Sequence, residues 1–199
     1  MARALAKSSL LSSESFPDQG DWTYEDYCRL PEDGWRYEVL RGKLHMTPAP
    51  SWPHQDAVWN FGFLLKAFVR EKGLGKVAGA PADILLPGGL ATPVQPDVFF
   101  ISRERLGIIH DSHIEGAPDL ILEVLSPSNW LTDRRDKFQI YAAAGVREYW
   151  IADPKNRDVE VFVLRDGTYE LLGRFGPGER ARSETLPGFE PAIDEIFES

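Results

Sequence analysis

The sequence predicts a mixed α/β fold, and three observations carry that reading. Between two extended regions, Val58, Phe61, Leu64, Leu65, Phe68 and Val69 follow the i, i+3, i+4 rule of an amphipathic helix over His54–Lys72. A strand–helix–strand unit spans 117–152, and a right-handed crossover makes its two strands parallel. After it, Asp166-Gly167 joins two further strands as a hairpin. There is no G-x-G-x-x-G and no P-loop, so neither a doubly wound dinucleotide fold nor a glycine phosphate cradle is supported.

Each element has its own local reason. Residues 1–20 are rich in Ser and Ala with no sustained period and are expected to be a flexible tail, leaving 21–199 as a single domain. Thr23 is placed to cap a short helix, Tyr24 to Leu30, that Pro31 ends. Trp35 to Met46 gives two short strands with Gly42 at the turn. The long helix stops at Gly73 and Gly75. Val77 to Leu86 and Val94 to Ile101 each read as one strand. Ala117 to Leu125 is apolar on both faces apart from Asp119 and Glu123, which suits a central strand covered on both sides. A helix from Leu131 to Ala144 ends at Gly145 in the C′ position. Val146–Ala152, Val159–Leu164 and Tyr169–Arg174 are strands, and Pro187–Phe197 is a loop with a short terminal helix.

Composition limits the function. The 199 residues carry 22 basic and 31 acidic side chains, a net charge of −9. Ten acids and four bases lie between Asp158 and Ser199, so the excess is concentrated there. A chain this acidic is not a coating, non-specific nucleic-acid binder. One cysteine, Cys28, excludes a disulfide framework and a cysteine zinc finger. No apolar run is long enough to span a membrane. Lys7 interrupts the N-terminal stretch, so no secretory signal is expected and the expected location is cytoplasmic.

The candidate chemistry lies in carboxylates set within apolar strands. Glu123 shares a strand face with Ile121 and Leu125, where an unpaired charge is costly to bury. Asp97 opens the strand Val98-Phe99-Phe100, and Glu38 sits in Tyr37-Glu38-Val39-Leu40. Together they suggest one site for a hard cation such as Mg²⁺. Asp83, a fourth acid of this kind, is on its own better read as structural. So is His54, as a capping or surface residue. His110 and His113 lack a third ligand of the right kind, which argues against zinc there. Ser126 lacks a nucleophile elbow, and Trp130, Tyr149 and Trp150 read as core or interface aromatics.

Five segments in order resemble a known family. They are Trp35-Arg36-Tyr37-Glu38-Val39-Leu40-Arg41-Gly42; Pro96-Asp97; Pro118-Asp119-Leu120-Ile121-Leu122-Glu123-Val124-Leu125-Ser126-Pro127; Asp133 with Lys137 and Tyr141; and Gly145-Val146-Arg147-Glu148-Tyr149-Trp150-Ile151-Ala152-Asp153-Pro154. From about Trp22 to Phe197 the chain resembles the Uma-type restriction endonucleases of the PD-(D/E)xK nuclease superfamily. The resemblance implies a restriction-endonuclease-like mixed β-sheet flanked by helices, with additional antiparallel strands. It also implies Mg²⁺-dependent cleavage of DNA phosphodiesters, with Mn²⁺ as an alternative ion. The superfamily aspartate falls on Asp97, the strand acid on Glu123 and the early acid on Glu38. Lysine is expected two residues after the strand acid, but that position is Leu125, and the nearest replacement is Lys137. The competing expectation for Lys137 is an i, i+4 ion pair with Asp133. Cutting both strands of a duplex is simplest with a two-fold homodimer. A catalytically silent binding or assembly module of the same fold is the alternative, favoured by the net charge and by Leu125.

Overall fold

A computed structural model describes residues 16–126 and 132–198. Residues 1–15 of the expected tail, Pro127–Leu131 and the side chain of Asp133 lie outside the described residues. In chain order the elements are α1 (Tyr24–Cys28), β1 (Arg36–Leu40), β2 (Lys43–Thr47), α2 (Trp52–Lys72), β3 (Gly75–Gly79), β4 (Ile84–Leu86), β5 (Ala91–Val94), β6 (Val98–Ser102), β7 (Ile114–Glu115), β8 (Leu120–Val124), α3 (Phe138–Ala144), β9 (Glu148–Asp153), β10 (Asp158–Arg165), β11 (Thr168–Phe175) and α4 (Ile193–Ile196). A π-helical turn, Thr132–Lys137, leads into α3.

The strands divide between two mixed sheets, in the orders β2-β1-β5-β4-β7 and β11-β10-β9-β8-β6-β3. Strand β8 is central to the larger one and fully buried. It runs parallel to β9, as the crossover requires, and antiparallel to β6. Alternation sends Leu120, Leu122 and Val124 to one side, against Phe61, Leu65 and Val69 of α2 and the C-terminal Ile193 and Ile196. Ile121 goes to the other side, with Ile140 and Tyr141 of α3 and Ile84 and Val94 of the smaller sheet. Burying Phe61, Leu65 and Val69 contributes about 1.5–3 kcal/mol each. The hydrophobic period of α2 is therefore what fixes the helix on the sheet.

Helix and turn signals act as the sequence predicts. Thr23 caps α1 in a capping box with Asp26. Gly73 and Gly145 end α2 and α3 in the left-handed region. Asp166 and Gly167, both at positive φ, turn β10 into β11.

Two expectations fail, for one reason. Val77–Leu86 is not one strand but β3 and β4, and Val94–Ile101 is not one strand but β5 and β6. In both places the chain leaves one sheet for the other at a proline, Pro81 or Pro96, which has no N–H to extend a ladder. At the crossing, Ala80 N–H donates to Pro96 O at 3.1 Å. Asp97 stands at the second crossing, just ahead of β6.

Candidate active site

The candidate residues meet where the two sheets join. Glu38 comes from β1 of the smaller sheet, Glu123 from β8 of the larger, and Asp97 from the segment that passes between them. All three are buried, and so are Lys137 and His54.

Lys137 turns back over β8 from the π-helical turn. Its Nζ lies 2.9 Å from Glu123 Oε1 and 3.0 Å from Glu38 Oε1. One ammonium therefore bridges an acid from each sheet. Tyr141 Oη, one turn further on, donates to Glu123 Oε1 at 2.6 Å. Glu38 Oε1 also accepts from the backbone N–H of Gln95 at 2.8 Å. Lys137 and Tyr141 both bond Glu123 at Oε1, and Oε2 is buried with no hydrogen-bond partner among the described residues.

Asp97 is held differently. Oδ1 accepts from Arg36 at 2.9 Å, and Oδ2 accepts from Val124 N–H at 2.9 Å and lies 3.2 Å from His54 Nε2. The bond to Val124 ties Asp97 to the residue after Glu123. The electrostatics of the two acids therefore diverge. Burial pushes the Glu123 carboxyl up, with Asp97 and Glu38 adding to it and Lys137 only partly offsetting it. Burial also opposes ionisation of Asp97, but the hydrogen bonds and charges of His54 and Arg36 outweigh it and hold Asp97 below the usual carboxylate range. Such a pair, pushed apart, is a mark of functional sites and of structural ion pairs alike.

Around this centre lie residues that sequence reasoning missed or misplaced. His54 is neither a cap nor a surface residue. It precedes Ala57, Phe61 and Leu65 at helical spacing, so it continues the buried face of α2 and reaches Asp97. Its Nδ1 is buried with no hydrogen-bond partner among the described residues. Arg36 and Tyr141 are the cation and hydroxyl that complete the acids' hydrogen bonding. His45 faces Glu38 across β1–β2, and desolvation lowers its pKa. Asp83 stays outside the centre. It accepts from Tyr27 Oη at 3.0 Å and Gln95 Nε2 at 2.8 Å and so fastens α1 to the segment carrying Asp97. Tyr149 and Trp150 are core residues, while Trp130 lies outside the described residues.

The donor set fits a divalent cation in chemistry. Glu123 Oε2 is an unpartnered buried oxygen, and Asp97 is an ionised carboxylate tied to the adjacent residue. Lys137 and Arg36 stand among the acids.

Comparisons with known proteins agree with this architecture. A solved structure described as "a putative nuclease belonging to DUF820 from Anabaena variabilis ATCC 29413" matches at a TM-score of 0.72 and 19% identity, over 88% of this chain and 97% of that one. A search of curated proteins gives no match. The profile of the Uma2 family, described as "Putative restriction endonuclease", matches residues 24–194, which include every site residue named above. The chain has a nuclease fold, and it belongs to the Uma2 family.

Proposed function

We propose that the chain is a metal-dependent endonuclease that hydrolyses DNA phosphodiester bonds, with Glu38, Asp97, Glu123 and Lys137 as its site residues. The observation that carries this reading is the reach of Lys137 to Glu123, whose other oxygen is left buried and unpartnered. A stable scaffold gains by replacing such buried charges with apolar residues, so retaining them points to chemistry.

Asp97 and Glu123 would hold Mg²⁺, or Mn²⁺, with Glu38 close by; such an ion neutralises phosphate charge and lowers the pKa of a bound water. The protein's own groups divide the remaining work. Tyr141 and Lys137 occupy Glu123 Oε1, which aims Oε2 as the free donor. His54 and Arg36 keep Asp97 ionised. Lys137 supplies a compact positive charge that stabilises negative charge developing on the phosphate. Two copies about a two-fold axis would address both strands of a duplex. A free, exposed Cys28 and the absence of a helix long and apolar enough to cross a membrane among the described residues are compatible with action in the cytoplasm.

The second reading is a catalytically silent module of the same fold. It is favoured by the occupation of both Asp97 oxygens by protein partners. A plasmid-nicking assay separates the two. The proposed enzyme nicks supercoiled DNA with Mg²⁺ or Mn²⁺, stops with EDTA, and loses activity in Glu123→Ala. A purified protein that nicks under no metal condition is the silent module.

A further inference from the structure

We propose that His110, His113 and Glu115 form a separate site for a transition-metal ion of the Zn²⁺ type. The sequence offered two histidines without a third ligand, and the fold supplies it. One ligand atom from each of the three residues lies within 4.8 Å of the other two. The backbone beneath them is fixed. Ile109 bridges Ile114, and His110 N–H donates to His113 O at 2.9 Å, which closes a tight hairpin. Glu115 follows His113 by two residues in an extended segment and so projects to the same side. Ile114 N–H and Gly116 N–H, on either side of it, both donate to the β4 region at 2.9 Å.

The side chains already face one another. The two imidazoles stack at 5.1 Å, and His110 Nε2 is 3.6 Å from Glu115 Oε2. Ser112 Oγ, 3.0 Å from His113 Nδ1, orients that ring. Two imidazoles and one carboxylate with the fourth position open to water suit zinc, whereas Mg²⁺ prefers oxygen ligands throughout.

Isothermal titration of the full chain with Zn²⁺ tests this. In the double variant Asp97→Asn, Glu123→Gln, whose carboxylate centre no longer competes for the ion, one equivalent should bind, and at least tenfold more weakly once His110→Ala or Glu115→Gln is added. The exposed variants should melt like the wild type. Absence of Zn²⁺ binding to that double variant, or binding to it that survives His110→Ala with His113→Ala, overturns the site. Neither result depends on nuclease activity.

An independent observation concerns the outer face of α2. Trp52, Trp59 and Phe63 are 81%, 74% and 73% exposed. At spacings of seven and four they form one stripe, opposite the buried Phe61 and Leu65, and Asp56, Lys66 and Arg70 complete it. The stripe is complementary to its own reverse. About a two-fold axis at position 61, Trp59 meets Phe63, Asp56 meets Lys66, and Trp52 meets Arg70. These are an aromatic pair, an ion pair and a cation over a ring. We infer that a second copy of the chain packs here, α2 against α2 and antiparallel, which names the interface of the dimer proposed above. Three aromatics of about 150–250 Å² each offer roughly 400 Å² a side. With the flanking charged side chains the total approaches the ~1,200 Å² at the low end of specific interfaces. The dimer should therefore be weak and depend on concentration.

Sedimentation equilibrium of the full chain reads this without any activity, so failure of the nuclease reading leaves it standing. Dimers should form in the micromolar range. Asp56→Lys and Lys66→Asp should each weaken association at least fivefold, and the two together should restore it. A monomer at every concentration overturns the inference, as does a double variant no better than the singles. A chain that dimerises only after residues 1–15 are removed also overturns it, because its own N-terminal segment then covers the stripe.

Discussion

Lys137 is buried to 1% exposure and serves two carboxylates at once, so its removal has two separable effects. Lys137→Ala leaves two buried acids without their shared cation and should cost about 3–5 kcal/mol, read as a shift in the urea midpoint. At temperatures where the variant stays folded, its metal-loaded turnover should still fall at least tenfold. Lys137→Arg should not rescue it, because a planar guanidinium cannot take the place of a compact ammonium between Glu38 and Glu123. Glu123 carries the opposite balance of stability and function. Burial raises its pKa, so the native state favours the protonated form, and the cost of ionisation grows as pH rises above the ordinary carboxyl value. Glu123→Gln keeps one acceptor oxygen for Lys137 and Tyr141 to share, and should lose nicking while keeping or gaining stability at neutral pH. Asp97 has the other sign. Its lowered pKa stabilises the fold fully above the ordinary value of about 3.9 and progressively less as pH falls toward the lower folded value. Urea midpoints should drop across that acid window in the wild type and less in Asp97→Asn. The three acids were legible because each lies within an apolar strand or at its edge. Arg36 and Tyr141 stand in segments that carry the family resemblance, but nothing local marks that they turn inward, and His54 was read as a capping or surface residue although its i, i+3, i+7 phase with Ala57 and Phe61 puts it on the buried face.

At the scale of elements, a period or a cap made structure legible, and a proline hid it. The α2 stripe, the β8–α3–β9 crossover, and the Gly145 and Asp166-Gly167 stops follow from local rules. The division of the strands between two sheets does not, because it depends on which partner each half-strand finds after Pro81 and Pro96. Long-range docking of the C-terminal segment was equally invisible. There the signal was another acid in an apolar strand, Glu148, and it is structural. It accepts from Trp150 Nε1 at 2.6 Å and from the backbone N–H groups of Glu184 and Thr185 at 2.8 Å each. Glu148 thus clamps the 183–197 segment to β9, beside the cluster that also holds α2. Glu148→Ala strands three donors and should cost about 3 kcal/mol in urea unfolding. Hydrogen exchange should quicken at Glu184 and Thr185 before the core of β8. Uniform protection across both would mean that the clamp contributes nothing local. Glu148 and Glu123 are both buried strand acids, but Glu148 has both oxygens satisfied, whereas Glu123 has one left over among the described residues.

For the whole molecule, charge sets how the proposed endonuclease would approach DNA. The net charge of −9 repels a polyanion at long range, and the acid-rich stretch from Asp158 onward concentrates that repulsion on β10, β11 and the C-terminal segment. Near the site the cations among the described residues are few. Lys137 is committed to two acids, Arg36 to Asp97, and Arg134 to Glu160, while Arg135 is exposed. Two or three of these could reach phosphates, each releasing about 0.9 counterions, so log affinity should fall with log salt at a slope of roughly −2 to −3. Uncleaved DNA binding by the Glu123→Gln protein, measured across a salt series, reads that slope. A second basic surface sits elsewhere, in a groove lined by Lys66, Arg70, Lys76 and Arg103. Were DNA to lie there as well, the slope would steepen beyond about −5, and Arg103→Glu would flatten it. The α2–α2 dimer sharpens the distinction, because it engages Lys66 and Arg70 in protein contacts and withdraws them from phosphate. A shallow slope that is the same at dimer-forming and dilute concentrations places DNA at the acidic centre alone. A slope that steepens on dilution would assign the groove to DNA in the monomer.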